Sequence, residues 1–118
     1  MNMMNDTIAA IATANATGAV SIIRISGEEA ILIASELINK DLSKKEGYTI
    51  TFGTVQEEND VVDEVLVSIF RAPKSYTGED VVEIGCHGGL FITIKILSLC
   101  FAFQNTSHEF ISSSSFCN

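Results

Sequence analysis

Two β-rich runs, YTITFGTV (48–55) and EVLVSIFR (64–71), flank the acidic stretch QEENDVVD (56–63), and no other feature restricts the fold of this chain as tightly. Valine, isoleucine, threonine and aromatic side chains suit a pleated, half-buried surface, and a polar turn between two such runs sends the chain back alongside itself. A hairpin is therefore expected, and with it an antiparallel pair. Further runs of the same character are DTIAAIAT (6–13), AVSIIRIS (19–26) after the polar turn NATG (15–18), and DVVEIGC (80–86) after APKSYTGED, where Gly78 marks a surface turn. Ser26 followed by Glu29 has the pattern of a capping box, in which each side chain satisfies a free backbone donor at a helix start. Ala30, Ile31, Ala34, Leu37 and Ile38 then recur at helical spacing until the polar loop NKDLSKKEG (39–47). The segment LFITIKILSLC (90–100) is ambiguous, because Ile92, Ile94 and Ile96 alternate like a strand, but its length and position favour a second helix. The order β-β-α-β-β-β-α predicts an α+β fold, a mixed, largely antiparallel sheet with two helices packed on one side.

Composition narrows the class. With 118 residues and 47% hydrophobic content, the chain is one ordinary globular domain. Fifteen acids against seven bases give a net charge of −8, and the bases form no stripe that could neutralise consecutive phosphates, so direct nucleic-acid binding is not expected. Three cysteines, Cys86, Cys100 and Cys117, show no C-x-x-C spacing, and no secretory leader pattern is present; a reduced, cytoplasmic protein is the expectation. The apolar stretch from Leu90 to Phe103 is interrupted by Lys95 and falls short of the roughly 20 residues a membrane span needs, so it reads as a core helix. The tail QNTSHEFISSSSFCN (104–118) carries a four-serine run without periodicity and is expected to be weakly ordered, leaving 1–103 as the domain. Neither G-x-x-x-x-G-K-S/T nor G-x-G-x-x-G occurs, and there is no nucleophile elbow, so the chain by itself is not a P-loop nucleotidase.

The segment SYTGEDVVEIGCHGG (75–89) raises the functional question. On the strand DVVEIGC, Val82, Ile84 and Cys86 share one face, while Val81, Glu83 and Gly85 share the other. A glutamate beside a residue with no side chain leaves room for a flat group to approach the backbone. The plain alternative is an acid on a solvated face paired with a lysine, and residue type alone leans that way. Arg24 shares its face with Val20 and Ile22. It is either a surface cation whose stem covers apolar neighbours or a planar donor fork aimed at a ligand carboxylate or carbonyl, and residue type favours the first. Cys86 and His87 are both zinc-ligand types, but adjacent strand residues point to opposite faces and the other histidine, His108, lies in the tail. No metal site is expected, and Cys86 reads as a small apolar core residue. His87, Gly88 and Gly89 form a glycine-rich strand end whose backbone N–H groups could approach an anion or a flat ring; the alternative is a tight turn.

Taken together, DTIAAIAT, AVSIIRISG (19–27) and RAPKSYTGEDVVEIGCHGG (71–89) resemble, in order and spacing across roughly residues 5–99, the N-terminal domain of the tRNA modification GTPase family MnmE, also called TrmE. The resemblance implies a domain that forms a homodimer and binds a tetrahydrofolate derivative of the 5-formyl type at or near the dimer interface. It also implies a fold similar to the folate-binding domains of aminomethyltransferases. It carries folate contact to Arg24 and Glu83, and brings His87, Gly88 and Gly89 to the same site. A pterin edge offers a ring N–H and an amino group side by side, which one carboxylate can accept as charge-assisted bonds, while Arg24 suits a formyl oxygen. Full-length members of the family continue into a helical domain carrying an inserted P-loop G domain, neither of which is in this sequence. With the flavoprotein MnmG they use GTP, Mg and K in modifying C5 of the wobble uridine of tRNA, the folate supplying a one-carbon unit. This chain would contribute cofactor binding and dimerisation, without GTP hydrolysis of its own.

Two departures from the family pattern stand out. The turn TANATGAVS (13–21) keeps only Gly18 of a region that usually holds a proline and glycines. After Leu99 the family continues through a PGEF-type motif and a basic RAFLNG-like segment that supplies another folate contact, where this chain reads CFAFQNTSHEFISSSSFCN. The change implies a shifted reading frame or an altered end, and weaker folate binding. Two other readings stay open: a structural dimerisation module with no working folate site, and a stand-alone folate-dependent one-carbon transfer domain. The last is disfavoured, because the chain is far shorter than such enzymes and shows no second lobe.

Overall fold

A computed structural model describes residues 7–12, 20–75 and 77–107, the last three of these by their backbone alone. The elements are β1 (Ile8–Ile11), β2 (Ser21–Ser26), α1 (Ala30–Ile38), β3 (Thr49–Glu57), β4 (Asp60–Phe70), β5 (Val81–Cys86) and α2 (Gly89–Ser107). The strands form one sheet in the order β1-β2-β5-β4-β3, and every pairing in it is antiparallel. The fold is thus α+β, as expected, with β5 at the centre.

Strand alternation decides what each face of the sheet is for. Ile23 and Ile25 of β2, Val82, Ile84 and Cys86 of β5, Val65, Val67 and Ile69 of β4 and Val55 of β3 are all fully buried. They join Ile33, Ala34, Leu37 and Ile38 of α1 and Ile96 and Cys100 of α2 in one core. Each fully buried aliphatic side chain of this kind contributes about 1.5–3 kcal/mol, so both helices are held on this face. α1 lies so close to β3 that a Cβ on Gly53 would stand 2.8 Å from the Cβ, Cγ2 and Cδ1 atoms of Ile38. Among the described residues no helix lies over the opposite face, which exposes Ile8, Ile50, Phe52 and Leu66.

Four features differ from the expectation. The hairpin turn is only Glu58 and Asn59: β3 runs to Glu57 and β4 starts at Asp60, with Glu58 taking a left-handed φ of 59°. A register shift between Val55 and Gln56, which pair with Asp63 and Val61, absorbs the extra residue as a bulge. The acids around Val61 and Val62 hid a strand that their β-branched side chains support. The capping box does not form either. Ser26 ends β2 and its hydroxyl pairs with that of Thr77 at 2.9 Å, while the Glu29 N–H donates to Thr7 Oγ1 at 3.0 Å, so a distant residue caps α1.

The helix α2 is buried on only part of its circumference. Ile96 and Cys100 are in the core, but Leu90, Phe91 and Ile94 are exposed, Phe91 by 82%. A helix apolar on all sides carries no periodicity, which is why alternation and helix looked alike there. α2 also extends through Ser107, past residue 103, and Gln104 is buried with its side-chain Nε2 donating to the carbonyl of Thr7. The rest of the tail, the NATG turn and Gly18 lie outside the described residues. Among the described residues no helix is long and apolar enough to cross a membrane.

Candidate functional site

The helix-free face brings Arg24 and Glu83 together. β2 and β5 are neighbours, and their register sets Arg24 directly opposite Glu83, in a row that runs Ala10, Arg24, Glu83, Ser68, Ile50 across the five strands. Arg24 Nε and Nη2 both donate to Glu83 Oε2, at 2.9 and 2.7 Å. The glutamate side chain is 17% exposed and the arginine 38%, so the pair is a half-shielded polar element of this face. Glu83 is paired as the plain alternative supposed, with an arginine in place of a lysine. Because both bonds fall on Oε2, Oε1 keeps its lone pairs for another donor.

Gly85 stands two residues along β5 on the same face, between Ile22 of β2 and Leu66 of β4. A Cβ there would meet Val20 Cγ1 at 3.4 Å and the Leu66 carbonyl oxygen at 3.8 Å, so Val20 borders the space beside Glu83. On the other side of Glu83, Ser68 of β4 is its register neighbour and Val81, two residues before it on the same face, is fully buried.

The strand end beyond β5 holds a residue that the sequence had left in a turn. Asp63 Oδ2 accepts the backbone N–H groups of His87 at 2.8 Å and Gly88 at 3.1 Å. The glycine-rich turn does gather N–H groups around an anion, but the anion is a side chain of β4. His87 Nδ1 lies 3.0 Å from the carbonyl oxygen of Glu64. Its ring lines a shallow groove of about 530 Å³ with Phe52, Val61, Asp63, Glu64 and Leu66. This groove adjoins the Arg24–Glu83 row on the same face but is not lined by either member of the pair. Gly89, the first residue of α2, takes a φ of 90° that only glycine adopts easily.

Cys86 points the other way. Burial first, and the Asp63 carboxylate second, push its thiol up to about 12, and burial does the same to Cys100. Neither is a nucleophile or a ready metal ligand at neutral pH, and no group of three metal-ligating side chains exists among the described residues.

The SYTGED turn proves largely structural. Ser75 Oγ donates to the Glu79 carbonyl and accepts the Gly78 N–H at 3.1 Å, Gly78 itself having φ of 83°. Asp80 Oδ1 accepts the Ala72 N–H at 2.9 Å, and Thr77 ties the turn to Ser26 at the end of β2. These bonds, local except for that of Thr77 to Ser26, explain the spacing of the polar residues without a ligand. Tyr76 lies outside the described residues.

A family model described as "GTP-binding protein TrmE N-terminus" matches residues 7–110, which takes in every strand, both helices and the whole of this face. The chain belongs to the TrmE N-terminal family. Its relatives include proteins named tRNA modification GTPase MnmE: that of Carboxydothermus hydrogenoformans is 50% identical over 103 residues, 82% of this chain and 22% of the relative. Those of Bacteroides thetaiotaomicron, 51% identical over 102 residues, and Levilactobacillus brevis, 48% over 101, cover 82% and 83% of this chain and 22% of their own lengths. This TrmE N-terminal chain therefore spans between a fifth and a quarter of the relatives it matches.

Proposed function

We propose that this TrmE N-terminal domain binds a tetrahydrofolate of the 5-formyl type on its helix-free sheet face and forms a homodimer through the same side. The carrying observation is the Arg24–Glu83 pair, set side by side on this face next to Gly85. A pterin ring needs a surface without protruding side chains and an acceptor for its N–H edge. Glu83 Oε1 supplies the acceptor while Oε2 stays with Arg24, and Arg24 is oriented by that bond toward a polar ligand group such as a formyl oxygen. His87 and the two glycines after it would border the ligand from the neighbouring groove. Bound folate would supply a one-carbon unit, and this chain's residues would hold and orient it.

Within a full-length relative, the domain would support modification of wobble uridine C5 in tRNA, together with MnmG and a G domain using GTP, Mg and K. Free thiols at Cys86 and Cys100 suit a reducing, cytoplasmic setting. The exposed Ile50, Phe52 and Leu66 on the neighbouring strands β3 and β4 favour a second copy as the cover of this part of the sheet face, since an exposed apolar patch marks an interaction surface.

Titration of 5-formyl-tetrahydrofolate into the chain and into Glu83→Ala tests the reading. Binding that weakens in the variant supports it, and equal binding by both removes Glu83 from the site. No binding by either leaves the structural dimerisation module as the function. Sedimentation of the chain and of Phe52→Asp tests the dimer: a strict monomer at high concentration, or a dimer untouched by the new charge, refutes an interface on this face.

A further inference from the structure

We infer that Asp63 is a positioning residue: a built-in anion that fills the backbone N–H seat of the His87-Gly88-Gly89 turn and thereby fixes which nitrogen His87 offers to a ligand. Two successive N–H groups converge on one carboxylate oxygen, the arrangement that elsewhere holds a bound anion. With Asp63 in place, an anionic ligand group has no claim on these amides. What the turn presents is the His87 ring.

The ring's state follows from its partner. The Glu64 carbonyl oxygen only accepts, so His87 Nδ1 carries the hydrogen and donates to it, which makes Nε2 the acceptor whenever the ring is neutral. The groove of about 530 Å³ beside it, lined by Phe52, Val61 and Leu66, takes an apolar or flat group. The ligand chemistry that fits is a flat body with an N–H or O–H donor at its edge, received by Nε2. Asp63 acts only through the turn, which sets the distance between the His87 ring and Glu64. Asp63 and Glu64 are consecutive on β4, so one short stretch of strand holds both the backbone and the ring of His87.

Nitrogen-15 NMR of the imidazole, assigned against His87→Gln, reads the tautomer directly. The chain should show the Nδ1–H form, and Asp63→Ala should show a mixture of tautomers together with shifted His87 and Gly88 amide signals. Excess formate should restore the native signals by refilling the seat. Unchanged tautomer and amide signals in Asp63→Ala would overturn the inference, as would a wild-type ring in the Nε2–H form. Should Asp63→Ala fail to fold, Asp63→Asn keeps an oxygen acceptor without the charge and should move the same signals part of the way; no movement is again refutation. A second arm rests on the folate reading above. Asp63→Ala and His87→Gln should each weaken 5-formyl-tetrahydrofolate binding about five- to tenfold, the worth of one net hydrogen bond, and the double variant should lose no more than His87→Gln alone. Additive losses would show that Asp63 does not work through His87. If the wild-type chain binds no folate, that reading falls while the tautomer arm still decides the role of Asp63.

Discussion

A double-mutant cycle on Arg24 and Glu83 measures the polar element on which the proposed site depends. Removing Glu83 deletes two charge-assisted bonds, from Nε at 2.9 Å and Nη2 at 2.7 Å. Hydrogen bonds to charged groups contribute roughly 1.5–3 kcal/mol when shielded, whereas exposed ion pairs contribute about 0–1 kcal/mol. With side-chain exposures of 38% and 17% the pair lies between these limits, and a coupling of about 1 kcal/mol is expected. A loss of that size in a domain of this length corresponds to a fall in melting temperature of roughly 4 °C. Arg24→Ala should cost more than the coupling itself, because its stem also covers apolar neighbours on the open face. Urea denaturation of the chain, Arg24→Ala, Glu83→Ala and the double variant gives the coupling, and repetition at about 1 M salt should lower it only in part, since Glu83 is mostly shielded. A coupling within about 0.3 kcal/mol of zero would refute the claim that the two side chains form one element, and a coupling abolished by salt would refute the shielding.

Gly53→Ala should destabilise the fold by about 1–3 kcal/mol, because its new Cβ would press on Ile38 at 2.8 Å; a lower urea midpoint with an unchanged slope is the expected result. In a Cys117→Ser background, Cys86 and Cys100 should resist a thiol reagent at mild alkaline pH until the chain is unfolded. The same thiols set a pH window. Below the ordinary value of 9.0 they are protonated in both states, and between there and about 12 only the unfolded chain gives up its protons, so stability contributed by these groups is lost as pH rises through that range. Replacing both with alanine should flatten that part of the stability profile.

Much of the architecture was legible because it depends on neighbours in the chain. Alternation in AVSIIRIS and DVVEIGC sorted the residues into two faces, and the set Ile23, Ile25, Val82, Ile84 and Cys86 is fully buried, although Val81 of the other face is buried as well. The end of the hairpin was less legible: side-chain charge pointed to a turn across 56–63, while backbone pairing carried the strands to Glu57 and Asp60. The capping box failed for a related reason. The same pattern of serine and glutamate was claimed by contacts to Thr77 and Thr7, which local spacing does not register.

The candidate site divides along the same line. Sequence by itself determined which residues of a strand share a face, since a period of two follows from the pleat. It also determined that Gly89 can take a positive φ and that Cys86 belongs to the core. Tertiary structure decided that Arg24 meets Glu83 across 59 residues and that Asp63 occupies the amide seat of His87 and Gly88, 24 and 25 residues away. Those contacts exist because β5 lies between β2 and β4 in the sheet. Strand order and register are properties of the whole core, fixed when the apolar faces of distant segments find one another, and no local spacing encodes them.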